Sequence, residues 1–144
     1  MPAAEHFRKL ERMYLSAAIN AYYAPTISIG EGSAEVTIAV RPEFFHAAGA
    51  VHGAVYFKLL DDAAFFAANS LVDDWFLVTV SFNLYLTRPV AEGQMRAVGR
   101  VVHHSRRLFI AEAELTDASG REIARGSGTF MRSAIPLASV PGYS

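Results

Sequence analysis

The sequence predicts an α+β fold in which about six antiparallel strands wrap around one long apolar helix. The helical pattern lies at residues 53–70, where apolar residues recur with a spacing of three and four. Two short alternating segments precede this helix and four longer ones follow it, separated by turns rich in Gly and Pro. Because a sheet that widens also twists and curls, a sheet of this size can enclose a single helix.

The composition predicts one domain, spanning residues 1–144, with a core of its own. Hydrophobic residues make up 52% of the 144 and charged residues 19%, so we expect extensive burial. The 14 acidic and 13 basic residues nearly cancel, which predicts no broad attraction to nucleic acid. No segment reaches the ~18 apolar residues of a membrane span, and the charged N-terminus is unlike a signal peptide. Cysteine is absent, which excludes disulfides, thiolate metal sites and a cysteine nucleophile and fits a cytoplasmic protein.

Before the central helix, the pattern predicts one helix and a hairpin. Apolar residues recur at helical spacing over residues 5–23, and a proline ends that segment. Strand candidates at 26–30 and 33–41 flank two glycines that favour a tight turn. A loop with Pro, Gly and bulky aromatic residues then leads into the central helix.

After the central helix, apolar and polar residues alternate. Over residues 76–89 the alternation predicts a long strand with one apolar face, made of Val78, Val80, Phe82, Leu84 and Leu86. Three further strands are predicted at 94–103, 107–117 and 121–132, and an irregular tail at 134–144. Charged residues that recur every second or fourth position should form cross-strand ladders on a solvated face: Arg96, Arg100, Glu112, Glu114, Arg121 and Arg125.

Two adjacent acids, Asp61 and Asp62, lie at the centre of the otherwise apolar helix. Burying an unpaired carboxylate is costly, which raises the question of why a core helix carries two. On a helical wheel both lie on or beside a narrow polar stripe that includes Lys58, one turn before Asp62. A solvated strip with a Lys58–Asp62 pair would explain both acids, and periodicity alone does not say which aspartate is special.

Gly53 begins the helix directly after His52, with no Ser, Thr, Asp or Asn at the capping position. Free backbone N–H groups at a helix start attract negative charge or a developing oxyanion. A simple loop-to-helix glycine is the alternative interpretation.

The run His52-Gly53-Ala54, with Asp61 nine residues after the histidine, resembles the motif of hotdog-fold acyl-CoA thioesterases, and most closely their PaaI-like, phenylacetate-pathway branch. The segment VTVSFNLYLTRPVAEGQMRAVGRVVHHSRRLFIAEAELTDASGREIARGSGTF is similar to the family's strand region almost end to end. The resemblance covers roughly residues 25–132. It implies a sheet wrapped around the central helix and hydrolysis of an acyl-CoA to a carboxylic acid and free coenzyme A.

The resemblance also implies roles for individual residues. In the family, the N–H at the position of Gly53 polarises the thioester carbonyl. The acid at the position of Asp61, rather than Asp62, acts as general base or nucleophile. A hydroxyl residue in the strand after the helix, here Thr79, helps to place the water or the acid.

Two positions depart from the family pattern. Ala54 stands in place of the second motif glycine, and its small side chain should preserve the helix start. His46 stands where better-studied relatives often have an asparagine. It could orient water or the carbonyl, act as an acid or base, or simply line the loop. We expect His52 to bond to the backbone and shape the turn.

Substrate contacts are expected on both sides of the thioester. One or two of the four aromatic residues of the helix, Tyr56, Phe57, Phe65 and Phe66, could wall a pocket for an aryl or medium-length acyl group, and the pattern does not choose among them. Phe57 and Phe65 are taken as the candidates, with the helix start, His52-Ala54, beside them. Arg106 and Arg107 form a basic pair that suits the phosphates of coenzyme A, although ordinary surface charge explains either one alone.

No metal or separate cofactor is expected, because coenzyme A is part of the substrate. His103 and His104 are the one candidate pair of ligands, but adjacent residues in a strand point to opposite faces and no third ligand is evident.

The spacing within the helix implies a second copy of the chain. Gly53 and Asp61 are eight residues apart, or about 12 Å along one helix. One carbonyl carbon cannot lie within ~3–3.5 Å of both, so Gly53 of one chain must work with Asp61 of another. The family forms dimers that often pair into tetramers. The competing interpretations are a non-catalytic acyl-CoA-binding hotdog domain and an acyl-thioester dehydratase; neither nucleic acid nor a membrane is an expected partner.

Overall fold

The structure, a computed structural model, describes residues 3–144, so the first two residues of the predicted domain lie outside the described part. The helices are α1 (Ala3–Ser16), α2 (Ala18–Tyr23) and α3 (Gly53–Asn69). The strands are β1 (Thr26–Gly30), β2 (Ser33–Ala39), β3 (Trp75–Leu86), β4 (Gln94–His104), β5 (Leu108–Thr116) and β6 (Glu122–Pro136). They form one antiparallel sheet in the order β1-β2-β4-β5-β6-β3, which leaves β1 and β3 as its edges.

The long helix α3 lies at the centre of the core, and residues 63–69 are all buried. It packs across the sheet and comes closest at Gly99 of β4, where an added Cβ would lie 2.4 Å from the backbone carbonyl of Ala63. A glycine is required there because helix and strand backbones touch without a side chain between them. The predicted hotdog architecture, with a sheet wrapped around one helix, is confirmed.

The N-terminal helix is interrupted, and the prediction of one helix over residues 5–23 is wrong in this respect. Ala17 has extended backbone angles (φ −63°, ψ 136°), so α1 ends at Ser16 and α2 begins at Ala18. The side chain of Asn20 donates to the Tyr14 carbonyl oxygen at 2.8 Å, which occupies one acceptor that the break exposes.

A bulge in β3 overturns the prediction that Val78, Val80, Phe82, Leu84 and Leu86 share one face. Thr79 pairs with Phe130 and Ser81 with Thr129, so Val80 is an extra residue without a partner. A bulge shifts the alternation by one residue. The inward side chains are therefore those at positions 77, 79, 82, 84 and 86, while Val78 and Val80 are 39% and 56% exposed.

The C-terminal segment is more ordered than the predicted irregular tail at 134–144. Strand β6 continues to Pro136 and a short 3-10 helix follows at Leu137–Ser139. Tyr143 is buried, and its hydroxyl lies 2.7 Å from Nδ1 of the buried His6 in α1. The end of the chain is thereby attached to its beginning.

The predicted charge ladder forms on the outer face of the sheet. Glu114 of β5 lies 3.4 Å from Arg100 of β4 and 3.3 Å from Arg125 of β6. Arg96 pairs with Glu35 on β2. The prediction is wrong for Arg121, which bonds to Asp117 in the β5–β6 turn. Within residues 3–144, no helix is long and apolar enough to cross a membrane.

Candidate active site

Asp62 has two partners that satisfy its charge. It accepts a hydrogen bond from Nζ of Lys58 at 2.7 Å and another from the hydroxyl of Tyr14 at 2.6 Å. Burial raises the pKa of Asp62, while the Lys58 ammonium and the two hydrogen bonds act in the opposite direction. The predicted Lys58–Asp62 pair is confirmed, with Tyr14 as an added partner from α1. Asp62 is therefore engaged in holding α1 against α3.

Among the described residues Asp61 forms no ion pair, and its carboxylate contacts β3, whereas that of Asp62 contacts α1. Its Oδ1 accepts a hydrogen bond from Oγ1 of Thr79 at 2.9 Å. Burial raises the pKa of Asp61 to about 6, the Thr79 hydrogen bond lowers it, and the neighbouring Asp62 charge raises it. At neutral pH Asp61 is thus mainly a carboxylate, yet basic enough to take a proton from water.

A cavity of about 650 Å³, here called the Asp61 cavity, opens beside this carboxylate. Its floor is α3, with Asp61 and Phe65, and one wall is the start of β3, with Thr79. The opposite wall comes from α1 and α2, and the C-terminal segment contributes Val140 and Pro141. Apart from the acids and Lys58, most of the lining is apolar, so the cavity suits an apolar group attached to a reactive carbonyl.

Gly53 lies in a second cavity, of about 340 Å³, at the start of α3, here called the Gly53 cavity. Within the described residues its N–H has no hydrogen-bond acceptor, as is usual for the first residue of a helix, whereas the next N–H, of Ala54, is capped by Nδ1 of His52 at 2.9 Å. The expectation that His52 bonds to the backbone and shapes the turn agrees with this contact. The free N–H of Gly53 can polarise a carbonyl oxygen.

His46 lines the same second cavity as Gly53. Its Nδ1 accepts the N–H of Ala48 at 3.0 Å, which assigns the ring proton of the neutral side chain to Nε2. Arg88 and the hydroxyl-bearing Tyr56 also line this cavity, and Tyr56 donates to the Arg88 carbonyl oxygen at 2.7 Å. Asp61 with the Thr79 hydroxyl and the free N–H of Gly53 with His46 thus lie in different cavities of one chain.

The predicted substrate contacts are only partly brought together. Phe65 lines the Asp61 cavity, but Phe57 packs edge-on against Phe82, with ring centroids 5.6 Å apart, and borders neither cavity. Ala54 is exposed on the first turn of α3. Arg106 and Arg107 are exposed in the β4–β5 turn, at the opposite end of the strands from Gly53. Among residues 3–144, no group of three His, Asp or Glu side chains could hold a metal ion.

Sequence reasoning missed the contributions of both chain ends to the Asp61 cavity. Tyr14 lies within the helical repeat predicted over residues 5–23, which gives it no polar role, but its hydroxyl reaches Asp62. A tyrosine at an apolar helical position does signal a buried hydroxyl that needs a partner, although it does not name the partner. Val140 and Pro141 carry no such signal.

Three comparisons with known proteins bear on this arrangement. A family model described as thioesterase superfamily matches residues 48–124. The "putative esterase Rv1847" of Mycobacterium tuberculosis is 29% identical over 102 residues, covering 68% of this chain and 73% of that protein. Conserved protein PA5202 of Pseudomonas aeruginosa is 30% identical, with a TM-score of 0.76 over 92% of this chain and 100% of the other. The E. coli PaaI protein from the phenylacetic acid degradation operon has a TM-score of 0.84 at 23% identity, over 93% of this chain and 97% of the other.

Proposed function

Since this chain belongs to the thioesterase superfamily and is a thioester hydrolase, we propose that it hydrolyses acyl-CoA at a site shared by two copies of the chain. The observation that supports this most is the pairing of Asp61 with Thr79 beside an apolar cavity. A carboxylate with a raised pKa and no cation of its own is suited to activating water or attacking a carbonyl.

The proposed reaction needs one carboxylate and one hydrogen-bond donor at the thioester carbonyl. Asp61 takes a proton from water as the oxygen attacks the thioester carbon, or attacks that carbon itself to give an anhydride that water then hydrolyses. The free N–H of Gly53 holds the negative charge that develops on the carbonyl oxygen. In the first route the tetrahedral intermediate collapses with cleavage of the C–S bond, and the coenzyme A thiolate takes up the proton that Asp61 removed from water. In the second route the C–S bond breaks as the anhydride forms, and the thiolate takes up a proton from the water that then hydrolyses the anhydride.

The proposed second copy supplies the missing half of each site. Strand β3 is a 12-residue edge strand, and long exposed edges pair readily with another chain. Its exposed apolar residues include Val78, Val80 and Tyr85. Two β3 strands that pair antiparallel would bring the end of one strand, near Gly53, to the start of the other, near Thr79 and Asp61. A dimer would then have two equivalent sites, and a pair of dimers would form a tetramer.

The coenzyme A moiety would leave the shared site on the side of the Gly53 cavity, where Arg88 is available for its phosphates. Arg106 and Arg107 remain candidates for the same role, because their turn lies near the start of β3 and hence near the neighbouring chain in such a dimer. The fold similarity to PaaI from a phenylacetic acid degradation operon supports an aryl or medium-chain acyl group. A cytoplasmic location fits this substrate.

The first test is the release of free thiol from a panel of acyl-CoAs by the purified protein and by Asp61→Asn. We expect turnover to fall by about 10²–10⁴ in the variant, the usual contribution of a general base, with fold and assembly unchanged. Equal turnover in the two proteins would contradict the role of Asp61. Binding of acyl-CoA without any turnover would favour the non-catalytic binding domain.

The N–H of Gly53 can be removed without disturbing the helix. Gly53 is the first helical residue and His52 before it has extended angles (φ −64°, ψ 143°), both of which proline accepts. We expect Gly53→Pro to lose most activity and the control Gly53→Ala, which keeps the N–H, to lose far less. Equal losses would mean that the N–H is not used.

Mixing the two inactive variants tests the shared site directly. If Asp61→Asn and Gly53→Pro subunits reassociate at random, half of the dimers are mixed, and each mixed dimer has one intact site. About a quarter of the wild-type activity should therefore return, as two-fold symmetry requires. If the mixture stays inactive although subunits exchange, Asp61 and Gly53 act within one chain.

A further inference from the structure

The far walls of the Asp61 cavity come from parts of the chain outside the family match. That match ends at residue 124 and begins at residue 48. Met13, Ala17 and Ala18 from the α1–α2 region line the cavity, as do Val140 and Pro141 from the C-terminal segment. Asp61 and Thr79 thus lie within the matched segment, while these wall residues lie before and after it in the chain.

The cavity extends from the carboxylate along α3. Asp61 and Phe65 are one helical turn apart, or about 6 Å, on the floor of the cavity. Phe76 lines it near the start of β3, next to the C-terminal segment. An acyl group whose carbonyl lies at Asp61 would therefore run over Phe65 toward Val140 and Pro141.

Hydrogen bonds hold both walls in place. Tyr14 donates to Asp62 of α3 at 2.6 Å and fixes the end of α1 above the floor. In the C-terminal segment, the Tyr143 hydroxyl lies 2.7 Å from His6 of α1. Gly142 has φ +90° and packs so closely that an added Cβ would lie 2.7 Å from Oγ of Ser16. The two walls are thus joined to each other and to α3.

The charges around the cavity argue against a charged acyl group. Among the described residues that line the cavity, Lys58 is the one cation, and it is paired with Asp62 at 2.7 Å. A second carboxylate on the substrate would meet Asp61 and Asp62 without a free counter-ion, which is unfavourable in a partly buried site. The rest of the lining is mainly apolar.

We propose that the α1–α2 junction and the C-terminal segment form the specificity wall of the acyl site and select an uncharged, apolar acyl group of medium length; this rests on the function proposed above. The cavity of about 650 Å³ has space for roughly twenty water-sized volumes of ~30 Å³ each, far more than an acetyl group fills. A chain of about ten carbons fits this volume with room for contacts on all sides.

Two variants narrow the cavity and two matched controls do not. Val140→Trp enlarges a wall residue, and Ala138→Trp adds the same side chain at an exposed position two residues earlier that does not line the cavity. Ala18→Phe and its control Ala21→Phe make the same comparison within α2. The measurement is kcat/KM for straight-chain acyl-CoAs from acetyl to palmitoyl. Each methylene group that the narrowed cavity excludes should lower kcat/KM about fourfold. For the longest accepted chains kcat/KM should therefore fall more than about tenfold, while for acetyl-CoA it should be nearly unchanged.

A third variant, Val140→Ala, should act in the opposite direction and extend activity to longer chains. With this variant the proposal can still be tested if the bulky variants fold poorly. The wall has no role in selection if all three wall variants keep the chain-length profile of the two controls.

Binding of alkyl-CoA thioethers of the same lengths, measured by calorimetry, separates this proposal from the proposed activity. If the wall variants shift the binding profile but the protein hydrolyses no thioester, the proposed specificity wall is supported and the proposed activity is wrong. If the protein hydrolyses thioesters but the wall variants keep the wild-type chain-length profiles of turnover and binding, the proposed activity is supported and the proposed specificity wall is wrong.

Discussion

At the scale of single residues, Asp61 and Asp62 show how adjacent side chains of one type acquire different chemistry. Asp62 is held by Lys58 and Tyr14 and stabilises the contact between two helices. Asp61 receives one hydroxyl, from Thr79, and otherwise faces the cavity. Burial raises the pKa of both, but only Asp61 is left available to react.

The hydroxyl of Thr79 should set the pH range of activity. It stabilises the charged form of Asp61, so its removal in Thr79→Val should raise the pKa of Asp61 above about 6. Because protonated Asp61 cannot accept a proton, the acidic limb of the kcat/KM profile should move to higher pH by about one unit. Thr79→Ser keeps the hydroxyl and should keep the wild-type limb. If the acidic limb of the kcat/KM profile does not move in Thr79→Val, the group that titrates there is not Asp61.

At the scale of elements, the close contact between α3 and β4 fixes the position of the helix that carries both Gly53 and Asp61. Gly99 allows the strand backbone to touch the carbonyl of Ala63. Ala63 and Ala64 are fully buried, and so are the strand alanines Ala97 and Ala111. A core made of such small side chains leaves helix and sheet little freedom to separate or slide.

Gly99→Ala tests this contact. The added methyl group would lie 2.4 Å from backbone atoms that cannot rotate away, so we expect a loss of about 1–3 kcal/mol or more in the free energy of unfolding. The control is Gly30→Ala in β1, where the nearest atom is Oγ of Ser33 at 3.3 Å and can move. Urea unfolding of both variants gives the comparison; similar stabilities would show that α3 shifts at no cost.

Sequence patterns predicted most elements because those elements depend on local order. Helix α3 and strands β4 to β6 follow their 3.6- and two-residue periods. The bulge at Val80 was missed because Val78 and Val80 are both apolar, so the pattern continues through the shift. The break at Ala17 lies in an alanine-rich segment without Gly or Pro. The order of the C-terminal segment depends on a contact between Tyr143 and His6 that no local pattern records.

The candidate site could be predicted only in part for the same reason. Asp61, Gly53 and Thr79 were identified by resemblance, and the contact of Thr79 with Asp61 agrees with it. The aromatic character of Phe57 predicts a place in the pocket, but its ring packs edge-on against Phe82, stays 39% exposed and borders neither cavity. Which aromatic residue borders a cavity is decided by neighbours distant in sequence.

At the scale of the whole molecule, two features support the proposed dimer. They are the exposed edge strand β3 and the separation of Asp61 from Gly53 within one chain. In the proposed mechanism, a chain that has Asp61 in one cavity and Gly53 in another needs a second copy to act. A charge at the centre of an edge strand opposes pairing with another chain. Val80→Glu should therefore give a folded monomer with little activity.

Val102→Glu is the matched control, because Val102 is likewise exposed, at 49%, and unpaired at a register shift, but lies on β4, which is not an edge of the sheet. Analytical ultracentrifugation gives the assembly state, and circular dichroism shows whether the fold is kept. Loss of activity in a Val80→Glu protein that remains dimeric would mean that pairing along β3 is not what the activity requires.

The bulge in β3 also has a consequence for insertions and deletions. Thr79 and Ser81 already pair with consecutive residues of β6, and their side chains already point inward and outward. Removal of Val80 would join them into a regular ladder without turning any other side chain over. A relative that lacks the residue at position 80 would therefore keep the same inward-facing residues. A sequence alignment that allows no gap in this strand would then pair the residues on one side of position 80 with the wrong residues of that relative.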